Sequence, residues 1–329
     1  MTKKRVTLND VAKEAKLSAI TISRAFTSPE KVNPNTLNLI RKVARDMGYS
    51  PNRAARTLKS NQSHTIGIVN PNMSNPFFGH ITREMVMVCQ KKGYDALIFD
   101  SYELEEYEEN AIQRLIDYSV DGIILSTIST DLEYKPKYID ELKRKNIPLV
   151  LLDRELDGEY TGIYIDNMDS GYQMGQYIVR QHSKQEKIEI IGASPKSMVS
   201  NNRISGFRAA LYEYDIDIHH TDFSMENAYQ KTLEILTSNP ESKIFIGLNN
   251  QISLGIIKAV IESGKRPQVD IKIYSIDGVP YSDVFGMSIP CMTHNLNEMA
   301  FQAVNSILRL INGEPLTNNK VVIRGRLES

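Results

Sequence analysis

Two periodicities divide the chain. Up to about residue 60, apolar positions recur three and four apart, the spacing of one helical face. Leu8, Val11, Ala12 and Ala15 form the first such stripe, with Thr7 as its N-cap and Asp10 as the acidic partner of a capping box. After a short break at Lys16-Leu17, Ser18 caps a second helix over 19–26, which Ser28-Pro29 ends. Asn33-Pro34 opens a third, since proline suits the first helical position. Its stripe, Leu37, Ile40, Val43, Ala44 and Met47, closes at Gly48. Pro51 and Asn52 start a last helical segment over 53–58, and KSNQS (59–63) reads as a linker.

From Thr65 the pattern becomes short apolar runs separated by helical stretches. TIGIVN (65–70), DALIFD (95–100), GIILS (122–126) and PLVLLD (148–153) suit buried parallel strands. The alternation restarts with GIYID (162–166), KIEIIG (187–192), KIFIGL (243–248), IKIYSID (271–277) and CMTH (291–294). The expected architecture is a small all-α domain followed by an α/β core of two doubly wound parallel-sheet subdomains. The predicted boundaries are 1–50 for the helical domain, 51–63 for a hinge and linker, and 64–329 for the core. Within the core, the first subdomain takes about 64–161 plus 294–323 and the second about 162–293. Such sheets bind ligands beyond the C-terminal ends of their strands, so a cleft between the two is the expected site.

Charge sharpens this division. The chain as a whole has a net charge of −1, but residues 1–61 hold 7 Lys and 6 Arg against 4 acids, a net of +9. The remainder carries −10. A basic segment that is also capped and periodic is a folded polyanion-binding head rather than a solvated tail. Cys89 and Cys291 lie far apart in apolar surroundings and in no metal-ligand spacing, so they are expected to be buried free thiols in a reducing compartment. The first ten residues, MTKKRVTLND, contain no apolar stretch of a signal peptide, and no run of about 18 apolar residues occurs. These features point to the cytoplasm and to no membrane partner.

A first helix, a tight turn and a second capped helix match helix-turn-helix spacing, in which the second helix enters the major groove by its N-terminal end. The side chains presented there are Ala19, Ile20, Ser23 and Arg24. Arg24 either binds guanine through two hydrogen bonds or clamps a phosphate, while Ala19 and Ile20 offer apolar contact, for instance to a thymine methyl. Thr7, Ser18, Thr21, Asn33 and Thr36 lie near helix N-termini, where phosphates bind.

The segment VTLNDVAKEAKLSAITISRAF followed by GYSPNRAARTLKS resembles the head and hinge of LacI/GalR repressors, almost without interruption over residues 6–60. The resemblance implies a hinge that folds only when two subunits meet on DNA, with Leu58 wedged into the minor groove and Asn52 and Ala55 beside it. It also implies a homodimer on a pseudo-palindromic double-stranded operator, and the absence of a long leucine-rich tail favours a dimer over a tetramer. One departure is Lys16, where the family usually has glycine; a positive φ there costs roughly 1 kcal/mol.

The core resembles the same family and, through it, the periplasmic sugar-binding proteins. The marks are NPNMSNPFFGHI (70–81), DRE (153–155), IDNMDSGYQMG (165–175), NNRISGFRAAL (201–211), GLNNQISLG (247–255), SIDG (275–278) and THN (293–295). A sugar presents flat apolar faces and an edge of hydroxyls. Phe77 and Phe78 are candidates to cover the faces, unless they are plain core aromatics. Asp153, Arg154, Arg203, Asn249, Asn250, Asp277 and Asn295 are candidates to satisfy the edge. Arg203 alternatively forms a structural ion pair, and Asp277 alternatively braces a loop. Asn250 stands where the family commonly has aspartate, and an amide donates as well as accepts, so the effector is expected to differ from the common sugars. Arg154 and Arg203 together extend the candidate effectors to a sugar acid or sugar phosphate.

The resulting expectation is a transcriptional regulator, a repressor of a carbohydrate-utilisation operon, controlled by a small sugar bound between the subdomains. No P-loop, dinucleotide fingerprint, nucleophile elbow or metal-ligand motif occurs in the sequence, so neither an enzyme, a cofactor nor a metal is expected. A secreted binding protein would lack the basic helical head.

Overall fold

The computed structural model describes residues 6–50, 62–131, 133–316 and 318–329. The chain divides into Met1–Ser63 and His64–Ser329. In the first unit, α1 (Leu8–Ala15), α2 (Ala19–Thr27), a 3-10 turn (Pro29–Lys31) and α3 (Pro34–Asp46) enclose Val11, Ala12, Ile22, Ala25, Ile40 and Ala44. The expected caps are present. Thr7 and Asp10 form the reciprocal capping box, Ser18 accepts from the Thr21 N–H, and Asn33 accepts from the Asn35 N–H.

Two helix ends of this unit use the same device. At the end of α3, Gly48 (φ +67°) lets Tyr49 N–H reach Ala44 C=O at 2.8 Å and Gly48 N–H reach Arg45 C=O at 3.0 Å. At the end of α1, Lys16 adopts φ 54°, ψ 40°, and the bonds Leu17 N–H to Ala12 C=O (3.0 Å) and Lys16 N–H to Lys13 C=O (3.3 Å) repeat the pattern. This is the two-bond left-handed helix end that favours glycine. Lys16 therefore carries the backbone strain that its position in the turn implies.

The second unit contains two six-stranded sheets. The first comprises β1 (Thr65–Asn70), β2 (Asp95–Asp100), β3 (Gly122–Leu125), β4 (Leu149–Leu152), β5 (Thr161–Ile165) and β11 (Lys320–Ile323). Its order is β2-β1-β3-β4-β5-β11, and every pairing is parallel. The second comprises β6 (Ile188–Gly192), β7 (Ile216–His220), β8 (Ile244–Gly247), β9 (Lys272–Ile276), β10 (Cys291–Thr293) and β12 (Arg326–Glu328). Its order is β7-β6-β8-β9-β10-β12, with β12 antiparallel to β10. Two doubly wound sheets were expected and are found.

Strand pleat distributes the core of the first subdomain over both faces. Ile66, Ile68, Val150 and Leu152 pack beneath α4 (Pro76–Lys91) and α11 (Leu296–Ile311), whereas Val69, Leu125 and Leu151 pack beneath α5 (Glu105–Asp117) and α6 (Tyr138–Arg144). In the second, α7 (Asn167–Gln181), α8 (Met198–Ala210), α9 (Met225–Ser238) and α10 (Asn250–Glu262) cover a single cluster centred on Phe207 and Phe245. Cys89 and Cys291 are free and buried, and burial pushes both thiols up to about 11, which leaves them unreactive.

One expected boundary is corrected. The run at 162–166 is expected in the second subdomain, but β5 pairs with β4 and β11 in the first sheet. The chain enters the second subdomain only at α7. Among the described residues it crosses between the sheets after β5, after β10 and after β11. Asp166 N–H donates to Ile323 C=O at 2.9 Å, tying the first crossing to the third.

Candidate DNA-reading face and effector pocket

The N-terminal end of α2 presents Ala19, Ile20 and Arg24 to solvent, and Ile20 is 69% exposed. Thr21 and Ser23 are half-buried beside it. The cap residues already serve the helices: Thr7 donates to Asp10 Oδ2 at 2.7 Å, and the Ser18 and Thr21 hydroxyls lie 2.8 Å apart. Asn33 is exposed at the start of α3. Asn52, Ala55 and Leu58 lie outside the described residues.

In the second unit, a cleft open to solvent lies between the two sheets and holds a cavity of about 40 Å³. Its lining comes from the C-terminal ends of strands in both. The first subdomain contributes Phe77 and Phe78 at the start of α4, and Asp153 and Arg154 after β4. The second contributes Arg203 from α8, Asn249 after β8 and Asp277 after β9. Phe77 and Phe78 meet edge to face, with centroids 5.0 Å apart.

Both arginines are buried and already engaged. Arg154 donates through Nη1 to Thr127 C=O (3.0 Å) and Ile128 C=O (2.6 Å), faces Glu103 at 3.6 Å, and lies over the Phe78 ring. Arg203 donates through Nε to Asn167 Oδ1 at 2.8 Å and through Nη1 to Leu248 C=O, and pairs with Asp277 at 3.6 Å. Of the two alternatives for Arg203, the structural ion pair is present, and its side chain also reaches the cavity wall. Asp277 is braced further by His294, whose Nδ1 lies 3.4 Å away and whose Nε2 meets Ser170 at 3.1 Å. Burial works to raise the Asp277 carboxyl, but Arg203 and His294 outweigh it and hold the group below its ordinary value. Asp153 goes the other way: burial pushes it up, against the pull of Arg154 and Arg203. Both aspartates take a left-handed backbone, φ 64° at Asp153 and φ 70° at Asp277, strain of the kind that collects at binding sites.

Two expected effector contacts sit elsewhere. Asn295 is exposed and caps α11 by accepting from the Glu298 N–H at 3.0 Å, so it is a helix cap outside the pocket. Asn250 is buried at the start of α10, where its Nδ2 donates to Asn75 Oδ1 of the first subdomain at 3.2 Å and its Oδ1 has no hydrogen-bond partner among the described residues. It bridges the cleft beside the lining rather than within it.

The lining also includes Asn72, Asn75, Glu103, Thr130, Val199 and Phe223, which were not singled out from the sequence. Asn72 and Asn75 lie within the run at 70–81, and Thr130 lies in the segment STIST (126–130) straight after β3. Phe223 precedes the cap of α9, a position that carries no distinctive signal. Away from the pocket, Glu189, Asp217 and His219 bring one ligand atom each within 4.8 Å of one another. His219 and Ser242 satisfy Glu189 (2.7 and 2.6 Å) and Lys187 pairs with Asp217 (2.5 Å), so the cluster closes on itself as an ion-pair network.

Residues 7–52 match the family described as bacterial regulatory proteins, lacI family, and residues 66–282 match the periplasmic binding protein domain. The ribose operon repressor of Halalkalibacterium halodurans is 27% identical over 98% of this chain and 95% of its own length. The transcriptional repressor CytR of Escherichia coli is 26% identical over 97% of this chain and 95% of its own length. The Lac repressor dimer bound to operator and the anti-inducer ONPF superposes with a TM-score of 0.86 at 22% identity, covering 99% of this chain and 98% of that one. A helix-turn-helix head of one description joined to a core of the other, matched to repressors along nearly their whole length, leaves one conclusion: the chain belongs to the lacI family of bacterial regulatory proteins, with a periplasmic binding protein domain as its core.

Proposed function

We propose that this protein is a cytoplasmic, homodimeric transcriptional repressor that binds a pseudo-palindromic operator and is controlled by a neutral sugar held between its core subdomains. The named relatives are repressors, one of them of a ribose operon. No helix among the described residues is long and apolar enough to cross a membrane. The exposed Ala19–Ile20–Arg24 face supplies the groove contacts, with Ser23 and Thr21 beside it and Thr7, Ser18 and Asn33 at the phosphates. Asn52, Ala55 and Leu58 complete the reading as the hinge.

The observation that carries the sugar reading is the charge balance of the pocket. Glu103 and Asp277 face two guanidiniums that already donate to protein oxygens, Arg154 through Nη1 and Arg203 through Nε and Nη1, and the half-buried Asp153 beside them adds no positive charge. Carboxylates accept hydrogen bonds from hydroxyls and repel a phosphate or a second carboxylate. The aromatic surface of Phe77, Phe78 and Phe223 suits the apolar face of a sugar ring. A neutral polyol therefore fits better than the sugar acid or sugar phosphate that two arginines alone suggest.

Thermal melting of the full-length protein against a panel of neutral monosaccharides, sugar phosphates and sugar acids tests this. A ligand bound only by the folded state raises the melting temperature with its concentration. The proposal expects the largest shift from a neutral sugar, and a larger shift from a phosphorylated or acidic one overturns it.

A further inference from the structure

Glu108 lies on α5 with no exposed surface, and none of its oxygens meets a cation among the described residues. Four donors converge on it instead: Tyr138 O–H and Ile128 N–H at 2.6 Å, Tyr134 O–H at 3.1 Å and Thr127 O–H at 3.3 Å. Burial nevertheless pushes its carboxyl above the ordinary range. A buried acid kept at such cost calls for a reason beyond stability.

Two of those donors belong to the segment that leaves β3 for the pocket. The same two residues are held from the opposite side, because Arg154 donates to the carbonyls of Thr127 and Ile128. The 127–128 backbone is thus clamped between Glu108 and a pocket arginine. Two residues on, Thr130 lines the pocket, and its carbonyl accepts the Met198 N–H of the second subdomain at 2.9 Å. Lys196 approaches Asp131 at 3.5 Å alongside, an exposed pair of small energetic weight.

We propose that Glu108 is a positioning residue for effector binding: it fixes the 127–131 segment so that the Thr130 carbonyl meets Met198 and the cleft closes over the pocket. The idea rests on the reading of this cavity as the effector site, but its test needs no effector.

Met198 is the first residue of α8, and the first N–H groups of a helix have no partner within it. Its protection from hydrogen exchange therefore comes from Thr130, across the cleft, and its exchange rate reports closure. Exchange is to be read at single amides in the full-length protein and in Glu108→Ala, Glu108→Gln and Tyr138→Phe. The proposal expects the Met198 amide to exchange about tenfold faster or more in Glu108→Ala, and less so in Glu108→Gln, which keeps one carbonyl acceptor. Amides of β6 and β8 should keep their wild-type rates. A folded Glu108→Ala in which Ile128 exchanges faster while Met198 does not would reduce Glu108 to a local structural residue and overturn the proposal. If that variant does not fold, Tyr138→Phe decides on the same criterion, because it removes one donor to the carboxyl and keeps the ring. Failure of every sugar to bind the wild type would sink the effector reading and leave these rates unchanged.

Discussion

The head and the core place their functional side chains by opposite means. In the head, the residues proposed to read DNA, Ala19, Ile20 and Arg24, fall within six consecutive positions of one helix and are exposed, and the apolar stripe behind them holds the helix in place. In the core, no two neighbouring elements make the pocket. It is assembled from the ends of β4, β8 and β9 and the starts of α4 and α8, and its side chains point inward and are tied down. A surface reader needs exposure and a rigid support. A sensor needs groups desolvated enough to feel a ligand, and each such group has to be satisfied without it. Removing a side chain in the head should therefore cost binding and spare folding, whereas in the core it should cost both.

Arg203→Ala tests the core side of that contrast with the largest expected effect. It leaves the half-buried Asp277 without its guanidinium, a loss of at most about 3–5 kcal/mol, the range for a broken buried pair. Chemical denaturation should show it, and wild-type stability would mean that His294 alone compensates Asp277. Arg24→Ala tests the head. Its side chain is exposed, so folding should be unaffected, while operator affinity should fall by about 1–3 kcal/mol if the contact is to a base. Equal weakening on operator and on unrelated DNA would assign Arg24 to a phosphate instead.

Smaller effects sharpen the comparison. Met198→Pro removes one N–H at a helix position that favours proline, after a residue already extended at ψ 111°. It should lower affinity for whichever sugar stabilises the wild type by about 0.5–1.5 kcal/mol, the worth of one hydrogen bond, with the helix intact by circular dichroism. Unchanged affinity would uncouple cleft closure from binding. Lys16→Gly should relieve the left-handed turn and stabilise the head by about 1 kcal/mol at most, seen as slower exchange of buried head amides such as Ile22. Faster exchange would show that the lysine side chain contributes more than its backbone strain costs.

The head was readable from sequence because its determinants are local: Thr7 with Asp10, Ser18, and Asn33 with Pro34 all act within three residues of where they stand. The core was readable as alternating elements, but strand partners are not local. The run at 162–166 looks the same whichever sheet it joins, and its sequence alone does not show that it pairs with β4 in the first. Asn295 follows a strand, as a ligand contact does, yet its side chain is used to cap α11. Glu108 was hidden for a different reason: it stands in EEYEENA, an acidic helical run that reads as a solvated face, and only the packing of Tyr138 against it reveals that one of those acids is interior.

The central claim is that the core governs the head, so the decisive measurement is calorimetric titration of the stabilising sugar into the full-length protein, alone and saturated with its operator. Linkage between two sites is reciprocal and typically worth about 1–3 kcal/mol. Operator is expected to change sugar affinity by roughly 5- to 150-fold, and sugar to change operator affinity by the same factor. Identical sugar affinities in the two titrations would contradict it, leaving a DNA-binding head and a sugar-binding core that share a chain and nothing more.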